Sequence, residues 1–145
     1  YIRNVCQSAD LRVATTGASF GAFHAANTLF RRPDLFDATI AMSGFYDLGP
    51  DYLHGYADDH AYFNNPAAYL SNLEGPFLDL LKTDCKIQIL TGQGDYEAPD
   101  ASRRFAAILE RKGIPHTLDL WGYDIPHDWP SWRKMLPYAV DRMGW

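Results

Sequence analysis

The sequence has little cysteine, no long apolar run and no cluster of basic residues. Its two cysteines, Cys6 and Cys85, stand far apart without metal-type spacing, so we expect two free thiols, as is typical of an intracellular protein. No run of Lys and Arg exceeds a pair and the formal net charge is −5, which excludes the footprint of a nucleic-acid-binding protein. No segment reaches about 18 apolar residues, and the N-terminal residues do not resemble a secretory signal. These absences predict a cytoplasmic protein without a membrane or nucleic-acid partner.

Apolar residues make up 47% of the chain, which is ample for one packed core in 145 residues. Short runs with strand character alternate with longer runs of helical character, and this order is typical of a parallel sheet. The predicted fold is therefore α/β, a parallel sheet with helices on both faces, in a single domain over residues 1–145. The strands are predicted at 11–16, 38–42, 86–91 and 116–121, and the helices at 21–32, 65–70, 74–82, 100–112 (capped by Asp100) and 129–142 (kinked at Pro137).

A Gly-x-Ser-x-Gly motif at residues 17–21 lies between the first predicted strand and the first long predicted helix. The motif alone is common by chance, but a strand before it and a helix after it are the context of a nucleophile elbow. Gly17 and Gly21 supply the small residues that a tight turn and close packing require. The sequence therefore predicts Ser19 as a nucleophile, with the backbone N–H of Phe20 as an oxyanion donor.

The segment from Phe45 to Asn65 has no helical or strand period and is rich in Tyr, Asp, His and Gly. A loop of this length is either functional or a surface insertion, and the sequence favours neither. His54, Asp58, Asp59 and His60 raise the question of a metal site. Since their spacing fixes no ligands on one face, a solvated acidic loop is favoured, and no metal or other cofactor is predicted.

Three loops that follow predicted strands carry Ser19, then the acids Asp95 and Glu97, then His127. A serine hydroxyl needs a base within hydrogen-bond reach, and the base needs a carboxylate that fixes its tautomer. Serine, acid and histidine in this order are the chain order of α/β-hydrolases. The predicted catalytic triad is Ser19, Asp95 and His127, with Glu97 left open as an alternative to Asp95.

Three stretches, residues 16–25, 33–47 and 113–130, resemble the esterases of the esterase D type within the α/β-hydrolase superfamily. The resemblance implies a serine esterase with Ser19 as nucleophile, His127 as general acid and base, and an acid after the third strand. It also implies a second oxyanion N–H from a strand that would lie before Tyr1. The chain is therefore expected to be the C-terminal part of a longer fold that lacks its N-terminal strands here.

The other histidines and the tryptophans favour structural roles. His24 lies within the predicted elbow helix, and His116 lies at the start of a strand, at the end of the sheet opposite the site. The tryptophans are expected to pack in the core and between helices, although Trp129 is near enough to His127 to line a pocket. These are Trp121, Trp129, Trp132 and Trp145.

Two functions from different classes remain. The first is a serine hydrolase that cleaves small-molecule carboxylic esters through an acyl-enzyme intermediate. The second is a non-catalytic module on the same scaffold, inactive as this piece, whose open sheet edge near Tyr1 pairs with another chain.

Overall fold

The computed structural model describes residues 1–144, without the side chains of residues 50 and 51. Its four strands are β1 (Ala14–Ala18), β2 (Ala38–Met42), β3 (Lys86–Thr91) and β4 (Thr117–Leu120). Its helices are α1 (Ile2–Val5), α2 (Phe20–Arg31), α3 (Asp59–Phe63), α4 (Pro66–Leu70), α5 (Pro76–Thr83), α6 (Pro99–Lys112) and α7 (Trp129–Met143), and a π-helical turn covers Gly49–Leu53.

The four strands form one parallel sheet in the order β1-β2-β3-β4. Ala18 of β1 is paired with Met42 of β2, and Met42 is paired with Leu90 of β3. Because parallel strands all end at the same edge, the loops after β1, β2, β3 and β4 meet at one rim of the sheet.

Helices cover both faces of the sheet, which confirms the predicted fold class. Alternate strand residues divide the core into two clusters, since successive side chains of a strand point to opposite faces. On one face, Ala41 and Ile89 pack with residues of α2 and α6. On the other face, Ile40 and Leu90 pack with residues of α7. Helix α7 is also tied to β3 by a hydrogen bond from Gln88 Nε2 to Ala139 O.

Strands β2 and β3 have the predicted bounds, whereas β1 lies about three residues later than predicted. Leu11 to Val13 precede the ladder, and Gly17 and Ala18 of the motif are paired within it. Two predictions about helices are wrong. Helix α6 begins after Ala98, so Asp100 lies in its first turn and does not cap it. The segment 45–65, for which no helical period was predicted, contains the π-helical turn and α3. Asp58 caps the N-terminus of α3, because its side chain accepts a hydrogen bond from Ala61 N.

Cys6 is exposed, Cys85 is buried, and both are free thiols. Burial raises the pKa of Cys85 to about 11. None of the helices within residues 1–144 is long and apolar enough to cross a membrane. Trp145, one of the four tryptophans expected to pack, lies outside the described residues.

Candidate active site

Ser19 lies in the sharp turn between β1 and α2. Its φ of 55° and ψ of −120° are unusual for a residue with a side chain, and such strain persists only where the surrounding structure fixes it. Ser19 N donates a hydrogen bond to Met42 O at 2.9 Å, which anchors the turn to β2. The serine is therefore held where the strand ends and the helix begins.

The two glycines of the motif differ in the space around their Cα atoms. A Cβ on Gly17 would lie 2.2 Å from Gly21 O, so only glycine lets α2 start this close to β1. A Cβ on Gly21 would meet nothing within 4 Å. The tight packing predicted for both glycines therefore applies to Gly17, whereas the space beside Gly21 is open.

His127 has to cross the sheet to reach the serine. His127 follows β4, and β2 and β3 lie between β4 and β1. At the usual strand spacing, β1 and β4 are therefore about 14 Å apart. The loop that carries it passes over the end of β3, where a Cβ on Gly92 would lie 2.1 Å from Ile125 O and one on Gly94 would lie 2.8 Å from it. Because Gly92 and Gly94 have no side chains, the loop can pass this close to the end of β3.

Hydrogen bonds join the loop after β3 to the loop after β4. Gly94 N donates to Ile125 O at 3.0 Å, Gln93 N to Gly122 O at 3.2 Å, and His127 N to Asp95 O at 2.9 Å. These bonds hold the backbone of His127 independently of any side chain in the site.

The crossing brings the imidazole of His127 to the hydroxyl of Ser19. His127 Nε2 lies 2.9 Å from Ser19 Oγ, although the two residues are 108 positions apart in the chain. In the tautomer with its proton on Nδ1, the imidazole accepts a hydrogen bond from the serine hydroxyl through Nε2. This is the contact that a general base needs.

The carboxylate beside the imidazole belongs to Glu97. Glu97 Oε2 lies 3.3 Å from His127 Nδ1, and the Glu97 side chain is 1% exposed. The prediction of Asp95 is corrected here, since Asp95 is exposed and its contact with His127 is through its backbone carbonyl. Tyr96, with a φ of 63°, and the bond from Glu97 N to Gly94 O turn the chain back, so that residue 97 faces the histidine.

Hydrogen-bond donors surround both oxygens of the Glu97 carboxylate. Ser43 Oγ donates to Oε1 at 2.5 Å, with Gly92 N at 3.3 Å, and Thr91 Oγ1 donates to Oε2 at 3.1 Å. These hydrogen bonds fix the position of the carboxylate beside the imidazole. Burial, with a smaller contribution from the Glu97 charge, raises the pKa of nearby Tyr46 well above its usual range, so that phenol stays neutral.

Ser43 is the member of this hydrogen-bonded cluster that the sequence interpretation missed. It follows β2 with a φ of 51°, is 5% exposed, and accepts a hydrogen bond from Trp132 Nε1 at 3.0 Å while it donates to Glu97. The available signal was its position, because a small hydroxyl residue at the carboxyl end of a buried parallel strand lies at the rim where sites form.

Asp128 explains why helix α7 begins directly after the histidine. Its side chain caps the helix by accepting a hydrogen bond from Ser131 N at 3.1 Å, and Ser131 Oγ lies 2.6 Å from Pro126 O. The ring of Trp132, one turn further, contacts the His127 ring edge-on at 5.1 Å. The cap and the ring contact together restrict the orientation of the imidazole.

Aromatic rings form a wall beside Ser19. Phe20 is 52% exposed and its ring stacks on that of Phe45 at 5.7 Å, and Phe45 stacks on Tyr52 at 5.1 Å. Beyond His127 lies Trp129, whose expected core packing is wrong, since it is 67% exposed and contacts Trp132. The two other histidines lie elsewhere: His24 is exposed against Phe20, and His116 precedes β4.

The arrangement has the parts of covalent acyl transfer. The N–H of Phe20 belongs to the first turn of α2, where amide groups have no acceptor within the helix, and it lies next to Ser19 in the chain. Among the side chains that the structure describes, no group of three or more from His, Cys, Asp or Glu is placed to hold a metal ion. The chemistry available is a hydroxyl, a base that contacts it, and a buried carboxylate behind the base.

Residues 6–128 match the model of the prolyl oligopeptidase family, a range that contains Ser19, Glu97 and His127. No curated protein is similar enough to count as a match. Among solved structures, a ferulic acid esterase is 23% identical at a TM-score of 0.73, covering 96% of this chain and 54% of that one. An S-formylglutathione hydrolase from Agrobacterium tumefaciens is 17% identical at a TM-score of 0.69, with coverage of 96% and 50%.

Larger peptidases share the same fold. A putative dipeptidyl aminopeptidase IV from Bacteroides ovatus is 16% identical at a TM-score of 0.72, and the match covers 97% of this chain but 20% of that one. The chain thus spans about half the length of the esterases and a fifth of this peptidase. These matches confirm the α/β-hydrolase fold, and they do not confirm the narrower esterase D type.

Proposed function

Because this chain belongs to the prolyl oligopeptidase family, we propose that it carries the nucleophile, base and acid of a serine hydrolase that cleaves small carboxylic esters. The observation that carries the proposal is the unbroken series of contacts from Ser19 Oγ to His127 and from His127 to the buried Glu97 carboxylate. The proposal replaces Asp95 by Glu97 as the acid.

In the proposed reaction, Ser19 Oγ attacks the ester carbonyl carbon while His127 Nε2 takes the hydroxyl proton. Glu97 stabilises the imidazolium, and the N–H of Phe20 donates to the developing oxyanion. His127 then gives the proton to the departing alkoxide, which leaves an acyl group on Ser19. A water molecule repeats the sequence on the acyl-enzyme and releases the acid.

The leaving group is the open part of this proposal, because the same three residues can serve esters or amides. The ferulic acid esterase is an esterase by name, which supports an ester, while the family and the Bacteroides ovatus peptidase support an amide. We propose the ester first, because the exposed aromatic rings of Phe20 and Tyr52 suit the binding of a small acyl group.

The test is hydrolysis of para-nitrophenyl esters of increasing acyl length beside para-nitroanilides of the same acids. We expect ester turnover to exceed anilide turnover, and Ser19→Ala and His127→Ala each to lower kcat by at least about 10⁴-fold. An organophosphonate probe should label Ser19. A folded protein that is neither labelled nor active would instead support the non-catalytic module.

A further inference from the structure

We propose that the cleft between helix α6 and the segment after β2 binds an anionic group of the substrate, a carboxylate on an aromatic or apolar chain. This inference rests on the proposed function and names the class of ester. The cleft has a volume of about 860 Å³, within the range of small-molecule sites. Its lining includes Phe45, Tyr52, Ala98, Arg104, Phe105 and Arg111.

Two residues of the cleft's lining connect it to the proposed active site. Phe45, in its lining, stacks at 5.7 Å on Phe20, the residue after the nucleophile. Ala98, also in its lining, directly follows Glu97. A substrate whose carbonyl lies at Ser19 can therefore extend along the ring of Phe45 into the cleft.

The cleft is positive although the chain as a whole carries −5. Arg104 and Arg111 lie seven residues apart on α6, which is two helical turns or about 10 Å along the same face. Among the described residues, neither guanidinium has a hydrogen bond or an ion pair. Arg103 on the same helix differs, because it contacts Asp100 at 3.6 Å and Gln93 at 3.5 Å.

Asp47 is the carboxylate among the described side chains that line the cleft, and its hydrogen bonds are made to its neighbours. Asp47 Oδ1 accepts from Asn65 Nδ2 at 2.8 Å and from Gly49 N at 2.9 Å. It thus supports the segment after β2, while both guanidinium groups stay available. Guanidinium groups bind carboxylates through paired, charge-assisted hydrogen bonds.

The rings define the rest of the ligand. Phe45 and Tyr52 are stacked at 5.1 Å with 18° between their planes, and Tyr52 is 57% exposed. A flat or apolar chain can lie against such rings while its charged end reaches α6. The favoured substrate is thus an ester whose acyl part ends in a carboxylate.

The experiment compares matched pairs of para-nitrophenyl esters on the purified protein. One member is the mono-ester of adipate or suberate, and the other is heptanoate or nonanoate, which has the same reach without the charge. We expect kcat/KM to be about tenfold higher for the anionic member, and raised ionic strength to reduce this ratio. Arg104→Gln and Arg111→Gln should each lower the ratio severalfold, while Arg103→Gln leaves it unchanged.

Binding of phenylbutyrate and of its neutral amide, measured by calorimetry, separates this inference from the proposed function. Tighter binding of the carboxylate that depends on Arg104 and Arg111, without any ester turnover, would support the cleft and reject the hydrolase. Turnover that needs Ser19 but treats both members of each ester pair alike would overturn the anionic site. The anionic site would also be overturned if Arg103→Gln lowered the kcat/KM ratio of the ester pair as much as Arg104→Gln and Arg111→Gln do.

Discussion

The two sides of Ser19 are built differently. On the side of His127, two loops are joined by backbone hydrogen bonds, the start of α7 is capped, and four donors surround Glu97, counting His127. On the side of Phe45, the wall consists of stacked rings, and Phe20 and Tyr52 are more than half exposed. The difference teaches that hydrogen bonds fix the proposed reacting atoms before a substrate arrives, whereas the side chains of the proposed substrate surface are held mainly by ring contacts.

Within this comparison, the largest expected effect tests which acid supports the histidine. Glu97→Gln should lower kcat by about 10³–10⁴-fold, because an amide cannot stabilise the imidazolium and favours the wrong tautomer. Asp95→Asn is the matched control and should stay within about threefold, since its backbone carbonyl makes the contact. Steady-state kinetics of both variants decides between them, and the reverse ranking would restore Asp95.

The second effect concerns the tight turn between β1 and α2, which holds Ser19. Gly17→Ala should cost about 2–4 kcal/mol in the free energy of unfolding, because its methyl group would meet Gly21 O at 2.2 Å. Gly21→Ala meets open space within a helix and should be neutral or stabilising by up to about 1 kcal/mol. Urea titrations followed by circular dichroism measure both, and equal costs would contradict the packing described.

A smaller effect is expected from Ser43, which is hydrogen-bonded to the proposed acid Glu97. Ser43→Ala removes the hydrogen bond to Glu97 and should lower kcat about tenfold with little change in KM. Ser43→Gly removes the same bond but suits the φ of 51°, so it should be more stable than Ser43→Ala by about 1 kcal/mol. The two readouts, kcat and the unfolding midpoint, should therefore separate the hydrogen bond from the strain.

The smallest effect belongs to the aromatic wall. Tyr52→Ala should raise KM about three- to tenfold for esters with long or aromatic acyl groups and leave acetate esters nearly unaffected. Trp129→Ala, on the other side of His127, is the comparison variant and should not reproduce that dependence on acyl length. A uniform loss of kcat in Tyr52→Ala would show that the wall also positions the reacting atoms.

Much of the fold was predictable from sequence because burial leaves a strong pattern. Strand β2 is a nearly continuous apolar run buried along its whole length, and β3 alternates before it turns apolar, so the bounds of both were predicted to the residue. Strand β1 was placed too early, because Gly17 and Ala18 have little strand propensity and yet are paired in the sheet. Its position follows from the elbow packing and not from its own residues.

The site was only partly predictable for a similar reason. Ser19 and His127 follow from motif and order, but the choice between Asp95 and Glu97 depends on the left-handed turn at Tyr96, which leaves no clear mark in the sequence. The role of Ser43 depends on the register between β2 and β3, which brings the ends of those strands together. Contacts between distant segments decide both.

The path of the histidine loop over β3 also ties turnover to assembly. Since Ser19 and His127 are 108 positions apart and follow the first and last strands of the sheet, β1 and β4, their contact exists only when all four strands are in register. During refolding, recovery of turnover should consequently lag behind recovery of helical signal. The serine-histidine contact thus makes the proposed turnover a reporter of correct strand register.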